Sequence, residues 1–313
     1  MTAVFLIAGF GLLYLGGEGL VRGSAALGVR AGMSPLVAGL TIVAFATSAP
    51  ELAIALGAAL KGVPDIAIGN VVGSNIANLA LVLGITALVR PPSLRGRIVK
   101  RDAIVLVAST VLVPVLLLDG ELSRLEGAFL VTCLLAYLFL TLRGARNAPH
   151  DAADRKTSVP VVSTSLRLNV LLTAGSVAVL VGGSELLVRA CVEIAAWLGV
   201  SEATVGLSVA ALGTSLPELM TSIVAARHGQ PEMAAGNLIG SSIFNLLLIL
   251  GATSLLIPLV RSSVSLVDLG VMIAVSLLAL ALMATKARVE RREGALLGGI
   301  YVGYLAWLVA AST

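Results

Sequence analysis

Two carboxylates, Glu51 and Glu218, each follow a proline inside a long apolar stretch. The stretches read AFATSAPELAIA (residues 44–55) and AALGTSLPELMTS (residues 210–222). Proline has no N–H, so Pro50 leaves the Ala46 carbonyl without a helical donor, and Pro217 does the same to Gly213. Thr47 and Glu51 are four residues apart, as are Thr214 and Glu218, so on a helix each pair shares a face. With Ser48 and Ser215 beside them, each phrase offers hydroxyls, backbone oxygen and a carboxylate. The segment after each phrase adds more. In GNVVGSNIANLALVLG, Asn70, Ser74 and Asn78 recur every fourth position beside Gly69 and Gly73, whose GxxxG spacing lets a neighbouring backbone approach. GNLIGSSIFNLLLILG supplies Asn237, Ser241 and Asn245 in the same way. An all-oxygen set suits hard cations, with no thiolate or imidazole for softer metals. Two carboxylates match one Ca²⁺ in charge, and the same oxygens could hold several Na⁺. Competition for shared oxygens is a physical basis for exchange.

The elements that carry these residues are membrane helices. Of 313 residues, 58% are hydrophobic and only 12% charged, and the mean hydropathy is +1.03. A soluble domain of this composition could not cover its surface with polar groups, whereas lipid covers a membrane protein. Runs of about 20 apolar residues occur near 3–22, 33–60, 65–89, 102–118, 124–142, 168–190, 203–227, 232–257, 264–285 and 294–311. The expected fold is therefore an all-α membrane protein of ten transmembrane helices. The N-terminal run lacks a basic leader and reads as the first helix rather than a cleaved signal. With the N-terminus outside, the inner loops carry 17 Lys and Arg and the outer ones 4, namely Lys61, Arg124, Arg189 and Arg261. Both termini then lie outside a cell membrane, and the polar loop 144–167 is cytoplasmic. The net charge of +4 reflects this topology and not a nucleic-acid surface. Acids at mid-bilayer cost roughly 2.5–3.5 kcal/mol each on insertion scales, so Glu51 and Glu218 call for a function.

A shift of 167 residues overlays the chain on itself without a gap, and 23 of the 46 positions between 39–84 and 206–251 are identical. Glu51 meets Glu218, Pro64 meets Pro231, and Asn78 meets Asn245. This is an internal duplication. Residues 1–143 form one five-helix repeat, 144–167 the linker and 168–313 the second repeat. Because five is odd, the second copy enters the membrane from the opposite side. Inverted repeats of this kind place transport sites at the midplane between broken helices of the two halves.

The two phrases resemble the paired repeats of the sodium/calcium exchanger family, within the cation/calcium antiporters, over nearly the whole chain. The resemblance implies Na⁺/Ca²⁺ antiport by alternating access. Ca²⁺ would be held by Glu51 and Glu218 with the backbone oxygens of Thr47 and Thr214. Na⁺ would sit near Ala44, Ser48 and Ser241 on one side and near Ala211, Ser215 and Ser74 on the other, with Asn78 and Asn245 central. Helices 1 and 6 would slide across this core. The transported ions would be Ca²⁺ and Na⁺, with no cofactor and no obligate protein partner. Some members carry Asp at the position of Asn245; here both halves have Asn, so the pocket has two carboxylates only, which leaves the Na⁺ stoichiometry and K⁺ involvement open. The acidic motif usual after GN in the proton-coupled branch is missing, and proton- or K⁺-coupled antiport is the alternative. A passive cation channel and a Mg²⁺ carrier are further rivals. An enzyme is not indicated: there is no HExxH and no mid-helix aspartate pair, and the Gly-Ser pairs lack a histidine.

Other charged and reactive residues have simpler readings. Glu18–Arg22 and Glu185–Arg189 are spaced as ion pairs near helix ends. Asp65, Asp102, Glu232 and Asp268 fall near helix starts. Cys133 and Cys191 are expected as buried free thiols, and His150 and His228 as loop residues outside any metal cluster.

Overall fold

The computed structural model describes residues 1–92, 97–147, 165–197, 202–262, 264–286 and 288–312. Among the described residues there are ten long helices. They are α1 (Thr2–Arg30), α2 (Pro35–Leu60), α3 (Asp65–Val89), α4 (Arg97–Leu116) and α5 (Arg124–Asn147). The others are α6 (Leu166–Trp197), α7 (Glu202–Arg227), α8 (Pro231–Leu256), α9 (Leu266–Lys286) and α10 (Arg291–Ser312). Among the described residues, seven are long and apolar enough to cross a membrane, and α4, α7 and α10 are not in that set. The helices run past the apolar windows at several ends, because backbone hydrogen bonding continues through the membrane interface. α1 extends to Arg30, and α4 begins at Arg97. α5 runs to Asn147 and α6 starts at Leu166, so the expected linker is shorter at each end. Its residues 148–164, including His150, lie outside the described residues.

The turns that aim the site helices repeat. α2 ends at Gly62 (φ 77°) and α7 at Gly229 (φ 76°), a backbone conformation that favours glycine. Val63 N–H bonds the Ala58 carbonyl at 3.0 Å, and Gln230 N–H bonds that of Ala225 at 2.9 Å, the six-to-one closure of a Schellman motif. Pro64 and Pro231 then start the next helices. Ser123–Glu126 and Ser265–Asp268 form reciprocal capping boxes at the starts of α5 and α9. A two-residue antiparallel ladder joins β1 (Glu121–Leu122) to β2 (Leu259–Val260), tying the α4–α5 and α8–α9 loops together.

α3 and α8 form the interior. Of their apolar windows, 78% and 83% of residues are buried, against 28–50% for the other five candidate spans. Glycines set the crossings around them. A Cβ on Gly236 would lie 2.5 Å from the Leu36 carbonyl, and one on Gly240 would lie 2.7 Å from that of Leu40. Gly39 sits directly on the Met233 carbonyl. The backbones of α2 and α8 therefore touch. The close approach expected at Gly69 is not made, since a Cβ there would meet only Val264 at 3.7 Å.

Outside this centre, contacts recur under the 167-residue shift. Gly16 backs onto Ser176 and Leu180, and Gly183 backs onto Gly9 and Leu13, which seats α1 along α6. Gly84 backs onto Gly294 of α10, and Gly251 onto Gly127 of α5. Two expectations fail here. Cys133 is only half-buried and Cys191 is exposed, because an apolar helix in lipid has no reason to turn its thiol inward. Asp102 lies in the second turn of α4, fully buried, where Arg101 reaches it at 3.1 Å while also bonding Thr141 of α5 at 2.8 Å.

Candidate cation site

α2 and α7 continue as helices through Pro50 and Pro217. Three short stretches widen to π-helix: Gly39–Val43, Ala77–Val82 and Asn245–Ile249. The last two contain Asn78 and Asn245, one in each copy. Such widenings concentrate at functional sites because they redirect side chains and carbonyls.

The two copies meet through their hydroxyls. Thr47 Oγ1 lies 3.1 Å from Ser241 Oγ, and Ser74 Oγ lies 3.2 Å from Thr214 Oγ1. The second pair is the first displaced by one repeat. The Thr47 hydroxyl is also 3.1 Å from Asn237 Oδ1 and 3.3 Å from the Ala44 carbonyl. Asn237 donates through Nδ2 to Ser222 Oγ at 3.1 Å. Ser241, Asn237 and Ser222 thus connect α8 to α7 and α2 in one chain of contacts. Asn237 belongs to the every-fourth stripe read from the sequence, whereas Ser222 did not stand among the expected site residues.

Glu51 and Glu218 are 0% exposed and close enough to interact electrostatically with one another, and Thr47 lies near the Glu218 carboxyl. Among the described residues none of the four carboxyl oxygens has a hydrogen-bond partner. The same holds for the hydroxyls of Ser48 and Ser215 and the side-chain amides of Asn78 and Asn245, all buried. A buried polar group left unpaired costs about 1–3 kcal/mol, and more if charged. Most buried groups find partners, so unpaired buried carboxyls, hydroxyls and amides on α2, α3, α7 and α8 make these helices the candidate for holding a cation. The donor set is oxygen with two amides. Ala44 is buried beside it, and Ala211 lies on α7 with its side chain outside those described.

Charged groups elsewhere are taken up locally. Glu18 is held by Arg22 at 2.7 Å and by His228 Nε2 at 2.7 Å, which ties α1 to the α7–α8 turn. Glu185 is paired with Arg189. Asp65, Glu232 and Asp268 lie in first helical turns.

The family described as sodium/calcium exchanger protein matches residues 1–143 and 168–310. This chain belongs to that family. The exchanger is 35% identical over 312 residues to CaxA of Alkalimonas amylolytica, which carries an antiporter's name, covering 97% of each chain. It is 34% identical to the sodium/calcium exchanger MaX1 of Methanosarcina acetivorans, covering 98% of this chain and 99% of the relative. Among solved structures, the sodium-calcium exchanger NCX_Mj soaked with zero Na⁺ and Ca²⁺ superposes with a TM-score of 0.81 at 29% identity, covering 98% of both chains. The exchanger is a multi-pass membrane antiporter for cations including Ca²⁺, and its family is one of transporters rather than enzymes.

Proposed function

We propose that this exchanger moves Ca²⁺ against Na⁺ through one shared site, in which Glu51 and Glu218 supply the charge. The observation that supports this most is the pair of cross-repeat hydroxyl contacts beside two buried carboxyls that no described donor satisfies. Ca²⁺ takes both carboxylates and the backbone oxygens of Thr47 and Thr214. Na⁺ takes Ala44, Ser48 and Ser241 on one side and Ala211, Ser215 and Ser74 on the other. Asn78 and Asn245 complete the centre. The two ion loads draw on the same carboxylates, so one excludes the other. That exclusion makes the cycle an exchange and not a leak.

All ten helices cross the membrane in this reading, as two inverted units of residues 1–143 and 168–313 joined by a cytoplasmic linker. Both termini lie outside the cell membrane, in line with the distribution of Lys and Arg. α1 and α6, which lie along each other through Gly16 and Gly183, move over the α2, α3, α7 and α8 core to expose the site to each side in turn.

Equilibrium titration of Ca²⁺ into the purified exchanger by calorimetry tests the site. The expected result is one Ca²⁺ per chain, with affinity falling steeply as Na⁺ is added and binding lost in Glu51→Gln and Glu218→Gln. Ca²⁺ binding indifferent to Na⁺ would contradict the shared site.

A further inference from the structure

Pro217 takes away the N–H that would otherwise close on the Gly213 carbonyl. The structure gives that carbonyl a donor from another helix, the hydroxyl of Ser184 on α6. The contact is buried, with Ser184 8% exposed. It exists because position 213 is glycine: a Cβ there would overlap the Val188 side chain of α6. The next residue, Thr214, bonds Ser74 across the repeats. A hydroxyl on α6 therefore holds the backbone of α7 one residue away from a site group.

The first repeat lacks this device. The carbonyl freed by Pro50 belongs to Ala46, and the position matching Ser184 is Gly17, which has no side chain to donate. Among the described residues no side chain donates to the Ala46 carbonyl, and Gly17 faces Met220 and Val224 of α7 instead. The two halves of a site with otherwise matching residues are thus braced differently.

We propose that Ser184 is a positioning residue for the α7 half of the site, fixing Gly213 and with it the register of Thr214, Ser215 and Glu218. This rests on the cation-site reading above. Without the hydroxyl, a buried carbonyl is left unpaired beside the ion-binding oxygens, and the backbone of α7 rearranges to relieve it. Ion binding weakens while the path across the membrane stays intact.

The test is Na⁺-driven ⁴⁵Ca²⁺ uptake in proteoliposomes for wild type, Ser184→Ala, Ser184→Thr and Glu218→Gln, with half-saturating Ca²⁺ and Na⁺ measured separately from the maximal rate. One lost hydrogen bond corresponds to a factor of about 2–12. Ser184→Ala is expected to raise half-saturating ion concentrations by that factor with the maximal rate changed less, and Ser184→Thr, which keeps a donor, to restore them. Ser184→Cys, a weak donor, should fall between if the alanine variant does not fold. Wild-type ion dependence in Ser184→Ala overturns the proposal. So does a uniform loss of rate that Ser184→Thr does not repair. A wild type that transports while Glu218→Gln does not leaves the function standing, so the Ser184 variants then judge this inference alone. A wild type without uptake overturns both.

Discussion

At the scale of single residues, the candidate site is marked by buried groups that no described residue satisfies. Glu51 and Glu218 are fully buried, and no described residue bonds their carboxyl oxygens, so in the proposed site a bound cation supports their charge. Each glutamine variant should lower Na⁺-driven Ca²⁺ uptake by about two to four orders of magnitude, since removing one partner of a buried charge group costs roughly 3–5 kcal/mol. Tracer flux checks this. Asn245→Asp should act in the opposite sense on binding. A third carboxylate tightens Ca²⁺ and slows its release, read as a lower half-saturating Ca²⁺ and a lower turnover in the same assay. The carboxylates, Thr47, Thr214 and the serines were legible in the sequence as candidates, because polar residues recur at helical spacing inside apolar runs in both copies. Ser222 and Ser184 were not legible. Their roles arise from helices that meet only in space, and nothing in the local spacing of either residue announces its partner. Cys191 shows a related limit, since apolar neighbours in a membrane helix do not separate core from lipid face.

At the scale of elements, α2 and α8 touch through Gly39, Gly236 and Gly240, so site geometry depends on backbone contact. Gly236→Ala places a methyl 2.5 Å from the Leu36 carbonyl, which no side-chain motion can relieve. It should cost about 1–3 kcal/mol, seen as a lower melting temperature of the detergent-purified protein together with impaired Ca²⁺ binding. Gly57→Ala, where a Cβ meets nothing within 4 Å, should leave the melting temperature unchanged. The segment order was readable from hydropathy and from the Gly-x-Pro turns that close α2 and α7. The π-helical stretches, the β1–β2 ladder and the second-turn place of Asp102 were not, because each is fixed by tertiary contact and not by local preference. GxxxG spacing marked Gly69 as readily as Gly236, and only the packing decided which one another helix uses.

At the scale of the whole molecule, the 167-residue shift relates helix contacts as well as residues: Gly16 to Gly183, and the Gly84–Gly294 contact to the Gly251–Gly127 contact. In the proposed topology, five crossings per repeat make the two copies face opposite sides. A single cysteine at Lys61, in a background with Cys133 and Cys191 replaced by serine, should react with a membrane-impermeant maleimide from the outside of intact cells. One at Arg227 should react only after the cells are opened. Reaction of both from one side would contradict the inverted arrangement. The duplication was plain in the sequence, since identical polar residues held one register over 46 positions. How the halves interlock, with Thr47 on Ser241 and Ser74 on Thr214, needed the fold. The central claim is exchange through that interlocked site, and ⁴⁵Ca²⁺ uptake into Na⁺-loaded proteoliposomes diluted into Na⁺-free buffer tests it most directly. Uptake that needs the outward Na⁺ gradient, fails with K⁺-loaded or acid-loaded vesicles and disappears in Glu51→Gln and Glu218→Gln is the predicted result. Uptake that follows a proton gradient alone, or that survives both substitutions, would contradict it.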